Sequence, residues 1–448
     1  MNREEFRRAG HAWIDWLAEL PDEVAQLPVS PLANPGEFAS RLPKAPPELP
    51  TGIDERLWKD LLRDGTTWWS HPRFFAWFPA NTSRASVLAD LVGAGVGGQA
   101  MTWLSAPAQT ELEGVATSWF RQAVGLSEGM TGVINDTAST STLTALVAAR
   151  ERCGPGRLAV YGSEQNHVSV PKAVRVAGFG PDAWRGIPVD MHGAISLPAL
   201  DAQLAADRRS GTRACAIVAA TGTTTSTAFD PVDALADRAE VNGAWLHVDA
   251  AMAGNAMVAP ENRRLWTGVE RADSLVINPH KWLGVGMDLS ILYVRDVAFL
   301  ESVMSTDPTY LSSRVDGTVR HGKDLSIPLG RRPRAMKLLW TLLDEGVEGW
   351  RTRVRRDMAL ARDFARAAPP PWRLAAPVQL QTVLLHHGDR RDEGAIVERI
   401  NASGRFLLSP ANLAGAPVVR VSVGAEGNTA HDLDLLWEAL VDAQRGAH

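Results

Sequence analysis

Short apolar runs alternate with helical stretches between about residues 84 and 338, and this alternation constrains the fold more than any other feature. Strands are predicted over 158–161, 214–219, 245–248, 274–277 and 291–294, with helices such as 198–209 and 231–241 between them. The pattern is typical of βαβ units that form a mostly parallel sheet covered by helices on both faces. Ligands of such sheets bind beyond the carboxyl ends of the strands.

The two ends of the chain have different patterns. Residues 1–83 carry apolar side chains at helical spacing around Trp13 and Trp16, and seven prolines then follow between Pro28 and Pro50. Such a segment buries little core of its own, so it must pack on the main domain or on a second subunit. Residues 339–448 predict a small α+β domain, with strands at 378–384 and 418–423 and helices at 392–403 and 429–445. The expected organisation is therefore 1–83, 84–338 and 339–448.

Composition narrows the class of protein. A chain of 448 residues that is 45% hydrophobic and 22% charged should be a soluble globular protein with more than one core. A net charge of -5 without a basic run argues against nucleic acid as a partner. Two cysteines are too few for a disulfide framework or a thiolate zinc site, and no metal site is expected. We expect a reducing cytoplasmic location, since the first residues mix charges and lack an apolar signal core.

An uncharged stretch between Asp90 and Glu111 contains four glycines and several polar residues. It lacks the hydrophobicity of a membrane span, so we expect a buried packing segment and no membrane partner. Within it, residues 93–98 satisfy the dinucleotide string G-x-G-x-x-G. The preceding residues 86–92 look helical rather than extended, which argues against a nicotinamide enzyme.

Lys281 follows the predicted strand 274–277 and should stand at the carboxyl edge of the sheet. Pro279 breaks the strand just before it, and His280 is its neighbour. A lysine that is partly desolvated there could serve as a nucleophile for a Schiff base. A lone lysine at a strand end is more often an ordinary surface residue, so its neighbours decide the interpretation.

Asp249 ends another hydrophobic strand and should lie at the same edge. A carboxylate in a low dielectric needs a cation or several donors to stay ionised, and a protonated pyridine nitrogen would suit it. The alternative is a plain helix N-cap.

Two hydroxyl-rich segments should also reach this edge. Residues 135–142 precede an apolar helix, so free N–H groups at the positive end of the helix could bind a phosphate. Residues 221–225 follow a predicted strand and would supply hydroxyl donors, with Asp230 beyond them. Simple capping or a β-turn without function would use the same residue types.

A phosphate cradle, a carboxylate, an imidazole at His167 and a lysine form the set that pyridoxal phosphate needs. The sequence resembles the pyridoxal-phosphate-dependent group II amino acid decarboxylases, and most closely their aromatic-L-amino-acid branch. The matching stretches are 71–79, 106–113, 277–282, 307–311 and 327–332, in the same order and spacing over nearly the whole chain. The resemblance implies a fold-type I α/β enzyme, like aspartate aminotransferase, that works as a homodimer.

The resemblance also implies roles for individual residues. Lys281 would hold the cofactor covalently, Asp249 would pair with its ring nitrogen, and His167 would stack on the ring opposite Ala251. Thr224 would lie close to the ring. The phosphate would be held by Thr137, Ala138, Ser139 and Asn278, with help from His280 and, across the dimer interface, from the region of Gly330. Arg331 and Arg332 are interpreted as structural.

Reprotonation of the substrate Cα is assigned by the resemblance to Tyr310. The chain has three tyrosines, and Tyr161 and Tyr293 lie in predicted strands. Tyr310 lies in a stretch between about 303 and 325 that is rich in Ser, Asp, Gly and Arg, a composition that suits a lid over the site.

Several positions of the expected substrate pocket differ from the aromatic branch. That branch commonly has tyrosine where this chain has Trp77, and threonine or serine where it has Ala80. Gln99 and Met101 replace bulkier residues that reach across the dimer. The pocket is assigned to Trp69, Trp77, Phe78, Pro79, Ala80, Gln99 and Met101, an apolar and aromatic wall.

These positions leave the preferred substrate open among tryptophan, 5-hydroxytryptophan, phenylalanine, tyrosine and dopa. An aromatic aldehyde synthase and a group II decarboxylase of a non-aromatic amino acid are the nearest alternatives. Tyr310 and His167 argue for the simple decarboxylase. A scaffold that binds the cofactor without catalysis is the remote alternative.

Overall fold

The computed structural model describes residues 1–306, 317–388 and 392–445. The chain forms two compact units, one made of Met1–Pro79 with Leu360–His448 and the other of Ala80–Ala359. In the described part of the chain no helix is both long enough and apolar enough to cross a membrane.

Helices and strands occur along the whole described chain, and they alternate most regularly in the larger unit. The helices are α1 Arg3–Val24, α2 Glu55–Gly65, α3 Arg84–Val96, α4 Pro107–Val124, α5 Ala138–Cys153, α6 Ser169–Val176, α7 Leu197–Arg209, α8 Val232–Asn242, α9 Pro279–Trp282, α10 Val297–Met304, α11 Ala335–Arg366, α12 Glu393–Ala402 and α13 Ala430–Gln444. The strands are β1 Thr131–Asn135, β2 Leu158–Ser163, β3 Trp184–Ile187, β4 Arg213–Ala220, β5 Trp245–Asp249, β6 Ser274–Ile277, β7 Ser290–Val294, β8 Trp372–Leu374, β9 Thr382–His387, β10 Ser409–Leu413 and β11 Ala416–Ser422.

The sheet of the larger unit has seven strands in the order β1-β7-β6-β5-β4-β2-β3. Strands β2 to β6 are parallel to their neighbours, whereas β7 is antiparallel to both β6 and β1. Strand β1 therefore runs in the same direction as β6. Six strands consequently end at one edge of the sheet, as the alternating pattern predicted.

Buried apolar side chains from strands and helices fill the core of this unit. Central strands are enclosed on both faces, so β4, β6 and β7 are almost entirely buried. Small residues of α5, such as Ala148 and Ala149, let this helix pack closely with Val160 and Val218 of the sheet. Close packing of this kind makes α5 a rigid support for the residues at its two ends.

The smaller unit joins the two ends of the chain. Its antiparallel sheet has the order β10-β11-β9-β8, and its core includes Phe364, Trp372 and Trp437. The N-terminal residues contribute Phe75 to this core, and the Phe75 N–H donates to Leu407 O at 3.0 Å. The two compact units divide the chain at points other than the predicted 1–83, 84–338 and 339–448, and Phe75 of the N-terminal segment packs in the core of the C-terminal sheet.

Two local predictions need correction. The strand predicted over 378–384 is found at Thr382–His387, because Leu380 adopts a φ of 56° and a turn brings Gln379 opposite Thr382. The segment after Asp90 was expected to be buried, but Val96 and Leu104 are 64% and 62% exposed. Its apolar side chains lie on the surface of the single chain.

Candidate active site

Five connections bring the predicted site residues to the carboxyl edge of the large sheet. Each connection follows one strand: β1 leads to Thr137, β2 to His167, β4 to Thr224, β5 ends at Asp249, and β6 leads to Lys281. This convergence follows from the strand directions and confirms the predicted placement at the sheet edge.

Lys281 lies in the short helix α9, directly after the buried strand β6. Asn278 caps this helix with its carbonyl oxygen, which accepts the Lys281 N–H at 3.0 Å, and Pro279 occupies the first turn. The residues on either side of Lys281, His280 and Trp282, are buried, whereas Lys281 itself is half-buried. A half-buried amine at a strand end can reach a ligand beyond the sheet.

His280 is buried beside this lysine, and it is neutral. Its Nδ1 accepts the Leu289 N–H at 2.9 Å, and its Nε2 lies 3.4 Å from Asn278 Nδ2. Burial, reinforced by the positive charge of Lys281, lowers the pKa of His280 to about 4. His280 therefore links the loop after α9 to Asn278. Its help in holding a phosphate stays a prediction.

Asp249, His167 and Lys281 act on one another electrostatically. Desolvation lowers the pKa of the His167 imidazole, the Asp249 carboxylate opposes this effect, and the charge of Lys281 adds to it. The Asp249 Oδ1 atom also accepts the Ala251 N–H at 3.1 Å. The structure thus brings together the three residues that sequence reasoning chose as lysine, acid and imidazole.

The first turn of α5 is open and suited to an anion. Thr137 is the N-cap residue, yet its side chain makes no capping hydrogen bond. The N–H groups of Ala138 and Ser139 have no acceptor within the described residues. A helix of 16 residues whose first N–H groups are free attracts an anion, so this turn fits a phosphate group.

The turn after β4 is held rigidly under this edge. Thr221 donates its N–H to Asp249 O at 2.9 Å, and the N–H groups of Gly222 and Thr223 donate to Ala228 O. Buried Asp230 accepts the Ala220 N–H and the Ile195 N–H, each at 2.7 Å. These bonds leave the Thr224 side chain at the exposed tip of the turn.

Arg331 fixes the segment that carries Gly330. Its buried guanidinium donates to Glu113 Oε1 at 2.8 Å and to Ile134 O at 2.6 Å. Glu113 also accepts the Ile134 N–H at 3.0 Å, so the pair holds the segment against β1. Sequence reasoning interpreted Arg331 as structural, and this role is confirmed; it missed Glu113, whose partners are distant in sequence.

Gly330, Gln99 and Met101 lie on neighbouring segments. The Ala100 N–H donates to Arg331 O at 2.9 Å, and a Cβ added at Gly330 would lie 3.9 Å from Gln99 Oε1. Both Gly330 and Gln99 are exposed. Their approach to a cofactor or substrate in a second subunit stays a prediction.

The aromatic candidates lie in the smaller unit, where they form a cluster of their own. Trp69 and Trp77 stack with ring centroids 4.9 Å apart at 26°, and both are exposed in part. Trp77 has a φ of 41°, and its N–H donates to Ser409 Oγ. Phe78 and Pro79 are buried in the same unit, whereas Ala80 begins the larger one. Their place in a substrate pocket stays a prediction.

Two further sequence predictions concern other segments. Tyr310 lies outside the described residues. The glycine string of residues 93–98 forms the end of helix α3 and its C-cap, with no strand before it. This confirms that the strand–turn–helix context of a dinucleotide site is missing there.

The residues at the sheet edge fit pyridoxal 5′-phosphate. The cofactor has a phosphate, a basic ring nitrogen and an aldehyde, which need an anion site, an acid and an amine. The first turn of α5, Asp249 and Lys281 would hold these three groups, with His167 available for the ring face. The donor set therefore matches the cofactor group by group.

Known proteins with similar sequences agree with this assignment. The family model described as the pyridoxal-dependent decarboxylase conserved domain matches residues 35–370. The Aromatic-L-amino-acid decarboxylase of Catharanthus roseus is 33% identical over 470 residues, which cover 98% of this chain and 94% of that protein. The Phenylacetaldehyde synthase of Arabidopsis thaliana is 33% identical over 454 residues, covering 95% and 93%.

A solved structure agrees as well. The crystal structure of Oryza sativa TDC with PLP and tryptamine matches with a TM-score of 0.95 at 32% identity, covering 99% of this chain and 98% of that chain. The fold-type I architecture is thereby confirmed. Since the match spans both units and includes every strand connection that carries the site, the chain belongs to the pyridoxal-dependent decarboxylases and works with pyridoxal 5′-phosphate.

Proposed function

We propose that this enzyme decarboxylates an aromatic L-amino acid to the corresponding amine and CO2. The main support for this reaction is that Lys281, Asp249 and His167 lie at the same sheet edge and interact electrostatically. The substrate class is supported by the relatives, whose names include an aromatic-L-amino-acid decarboxylase and a structure with tryptamine.

Lys281 and the first turn of α5 position the cofactor. Pyridoxal phosphate, when bound, supplies a carbonyl carbon for the amine and a ring that accepts electrons. The Lys281 amine would hold the cofactor through this carbonyl carbon. The N–H groups of Ala138 and Ser139 would bind the phosphate at the positive end of the helix.

Asp249 and His167 would control the charge around the cofactor ring. The Asp249 carboxylate, at the end of the buried strand β5, would pair with a protonated ring nitrogen, whose positive charge would favour loss of CO2. Because the pKa of His167 is lowered, its imidazole is neutral at neutral pH. A neutral imidazole would be available for the face of the cofactor ring and would not repel a protonated ring nitrogen.

Tyr310 donates the proton that replaces the lost carboxylate. Tyr310→Phe should lose amine production and divert the product toward aldehyde, since the acid at Cα is missing. Tyr161→Phe is the matched control, because the Tyr161 hydroxyl is buried and donates to Asp207 Oδ2. An unchanged amine yield in Tyr310→Phe would contradict the assignment.

Product analysis separates the decarboxylase from an aldehyde synthase. The holoenzyme is incubated with tryptophan, 5-hydroxytryptophan, phenylalanine, tyrosine and dopa, and with histidine and glutamate as non-aromatic comparisons. Amine and CO2 in equal amounts from at least one aromatic substrate are expected. Aldehyde, ammonia and peroxide as main products would favour the synthase, and turnover of glutamate alone would refute the substrate class.

The enzyme is proposed to work as a homodimer. Large apolar side chains of α3 and α4 are exposed in the single chain: Leu88, Leu91, Val92, Val96, Leu112, Val115 and Trp119. An exposed apolar patch of this kind is usually buried against a partner. Light scattering should give twice the mass of the chain, and a charge introduced by Leu91→Glu should yield monomers. A monomeric wild-type enzyme would contradict the proposal.

A further inference from the structure

The two cysteines of the chain lie side by side. Cys153 is the last residue of α5, Cys215 lies on β4, and 62 residues separate them. The Cys153 Sγ lies 3.8 Å from the backbone oxygen of Cys215, and the two side chains are close enough to perturb each other's pKa. Cys215 belongs to a buried core cluster, and Cys153 packs against the same cluster. A chain of 448 residues with two cysteines brings them into contact.

The local backbone holds the two thiols in this arrangement. The pairing of β2 with β4 shifts by one residue, so that Ala159 faces Ala214 but Val160 faces Ala216, and Cys215 is the extra residue. The guanidinium of Arg213, the first residue of β4, donates to Cys153 O at 2.9 Å. The end of α5 is therefore tied to the start of β4.

The two thiols differ in access. Cys153 is partly exposed and lines an open cavity of about 540 Å³, together with Arg152, Arg208 and Arg213. Cys215 lies wholly inside the core. A small oxidant can therefore reach Cys153 directly and Cys215 only through it.

The two thiols also differ in pKa, and the more accessible one has the lower value. The neighbouring Cys215 side chain, helped by the charges of Arg152 and Arg213, lowers the pKa of Cys153 to about 7. The neighbouring Cys153 side chain and burial raise the pKa of Cys215. Cys153 is thus the thiol with more thiolate at neutral pH, and the thiolate is the form that reacts.

We propose that Cys153 and Cys215 form a redox modification site, in which a peroxide oxidises Cys153 and Cys215 then closes a reversible disulfide. In the first step the Cys153 thiolate attacks one oxygen of hydrogen peroxide. An S–O bond forms, the O–O bond breaks and hydroxide leaves, so that the sulfur loses two electrons and the peroxide gains them.

In the second step the Cys215 sulfur attacks the Cys153 sulfur. The S–S bond forms, the S–O bond breaks, and the leaving hydroxide takes the Cys215 proton as water. A small-molecule dithiol reverses the reaction by thiol–disulfide exchange. In a reducing compartment both cysteines would be free thiols most of the time, because disulfides there are usually transient.

The site is separate from the decarboxylation machinery. Helix α5 has 16 residues and is therefore about 24 Å long, with Cys153 at its end and the phosphate-binding turn at its start. Closing the disulfide would fasten the end of α5 to β4 by a covalent bond. The proposal does not depend on the substrate of the enzyme.

Thiol counting on the full-length holoenzyme tests the proposal. The enzyme is treated with hydrogen peroxide, quenched with catalase, unfolded, and assayed for free thiols and by peptide mass mapping. Loss of both thiols, one peptide pair linked through Cys153 and Cys215, and recovery of both thiols with dithiothreitol are expected. Two free thiols after treatment, or a disulfide between subunits, would overturn the proposal.

Two variants identify the order of reaction. In Cys215→Ala, dimedone should trap a sulfenic acid on Cys153, because no second thiol can condense with it. In Cys153→Ala, Cys215 should keep its thiol under the same treatment. Oxidation of Cys215 at the same rate in Cys153→Ala would refute the order. If either variant fails to fold, the wild-type peptide map still decides whether the disulfide forms.

Discussion

Replacing His247 by glutamine should remove a defined part of the acid sensitivity of the fold. His247 is fully buried on β5, where its Nδ1 lies 2.8 Å from Ser274 Oγ and its Nε2 lies 3.2 Å from Thr142 Oγ1. Burial lowers the pKa of His247 to about 4, below the ordinary value of 6.5. The folded protein therefore keeps this imidazole neutral.

The magnitude follows from the difference between the folded and unfolded pKa. Between pH 6.5 and pH 4 the unfolded chain binds a proton that the folded chain does not, so the free energy of unfolding falls as the pH falls. Each pH unit of this difference is worth about 1.4 kcal/mol, so His247 should account for about 3 kcal/mol by pH 4. Above pH 6.5 it should account for none of the pH dependence.

Urea unfolding monitored by tryptophan fluorescence from pH 4 to pH 8 measures this effect. The lost hydrogen bonds of His247→Gln lower stability equally at every pH, so the informative quantity is how the difference from wild type changes with pH. That difference should shift by about 3 kcal/mol in favour of the variant between pH 7 and pH 4. His431→Gln, at an exposed position on α13, is the control.

A difference between His247→Gln and wild type that stays constant with pH would refute the reasoning. It would mean that His247 is protonated as readily in the folded chain as in the unfolded one. Buried Asp230 is present in both wild type and variant, so its contribution to the pH dependence cancels in the difference between them. Burial raises the pKa of Asp230 to about 7, and its effect on stability runs the other way, falling as the pH rises.

Two substitutions near the site should reduce stability by different mechanisms. Glu113→Leu leaves the Arg331 guanidinium buried without its carboxylate, so the free energy of unfolding should fall by about 3 to 5 kcal/mol; Glu261→Leu, which breaks a surface pair with Arg355, should cost less. Gly222→Ala places a Cβ 2.4 Å from that of Ala253 at a φ of 90°, so we expect a loss of about 2 to 4 kcal/mol and weaker cofactor binding.

The controls decide between these mechanisms and general fragility. Gly211→Ala has a similar φ of 74° with open space around its Cβ, so it should show the backbone strain without the clash. Equal losses in Gly222→Ala and Gly211→Ala would contradict the packing argument. Equal losses in Glu113→Leu and Glu261→Leu would contradict the buried ion pair.

The sheet edge could be predicted because each site residue follows a strand with a strong local signal. Strand β6 was predicted at the residues where it is found, and β5 ends one residue later, at Asp249 itself. Parallel strands align their carboxyl ends, so placing the strands also placed Lys281 and Asp249. The site followed from local patterns and one topological rule.

Other elements depend on contacts that local sequence does not reveal. Strand β1 was missed, because only Val133 and Ile134 are clearly apolar and the strand is ordered by pairing with β7. The edge strand β3 was missed as well, since it contains Arg185 and Gly186. Neither short segment has the period that marks a strand in isolation.

Long-range polar contacts were also beyond sequence reasoning. Glu113 joins Arg331 across 218 residues, and nothing in its local sequence distinguishes it from a surface glutamate of a helix. The left-handed conformation of Leu380 displaces the start of β9, although leucine rarely adopts it. Such features arise from the packed fold and become visible only there.

Isotope-labelled turnover tests the central claim most directly. The holoenzyme is given an aromatic L-amino acid labelled with ¹³C at its carboxyl carbon, in deuterated water. We expect all of the ¹³C as CO2, an equal amount of amine, and one deuterium on the carbon that carried the carboxyl group, because a solvent-derived proton replaces it. Retention of ¹³C in an organic product, or an aldehyde in place of the amine, would contradict the account.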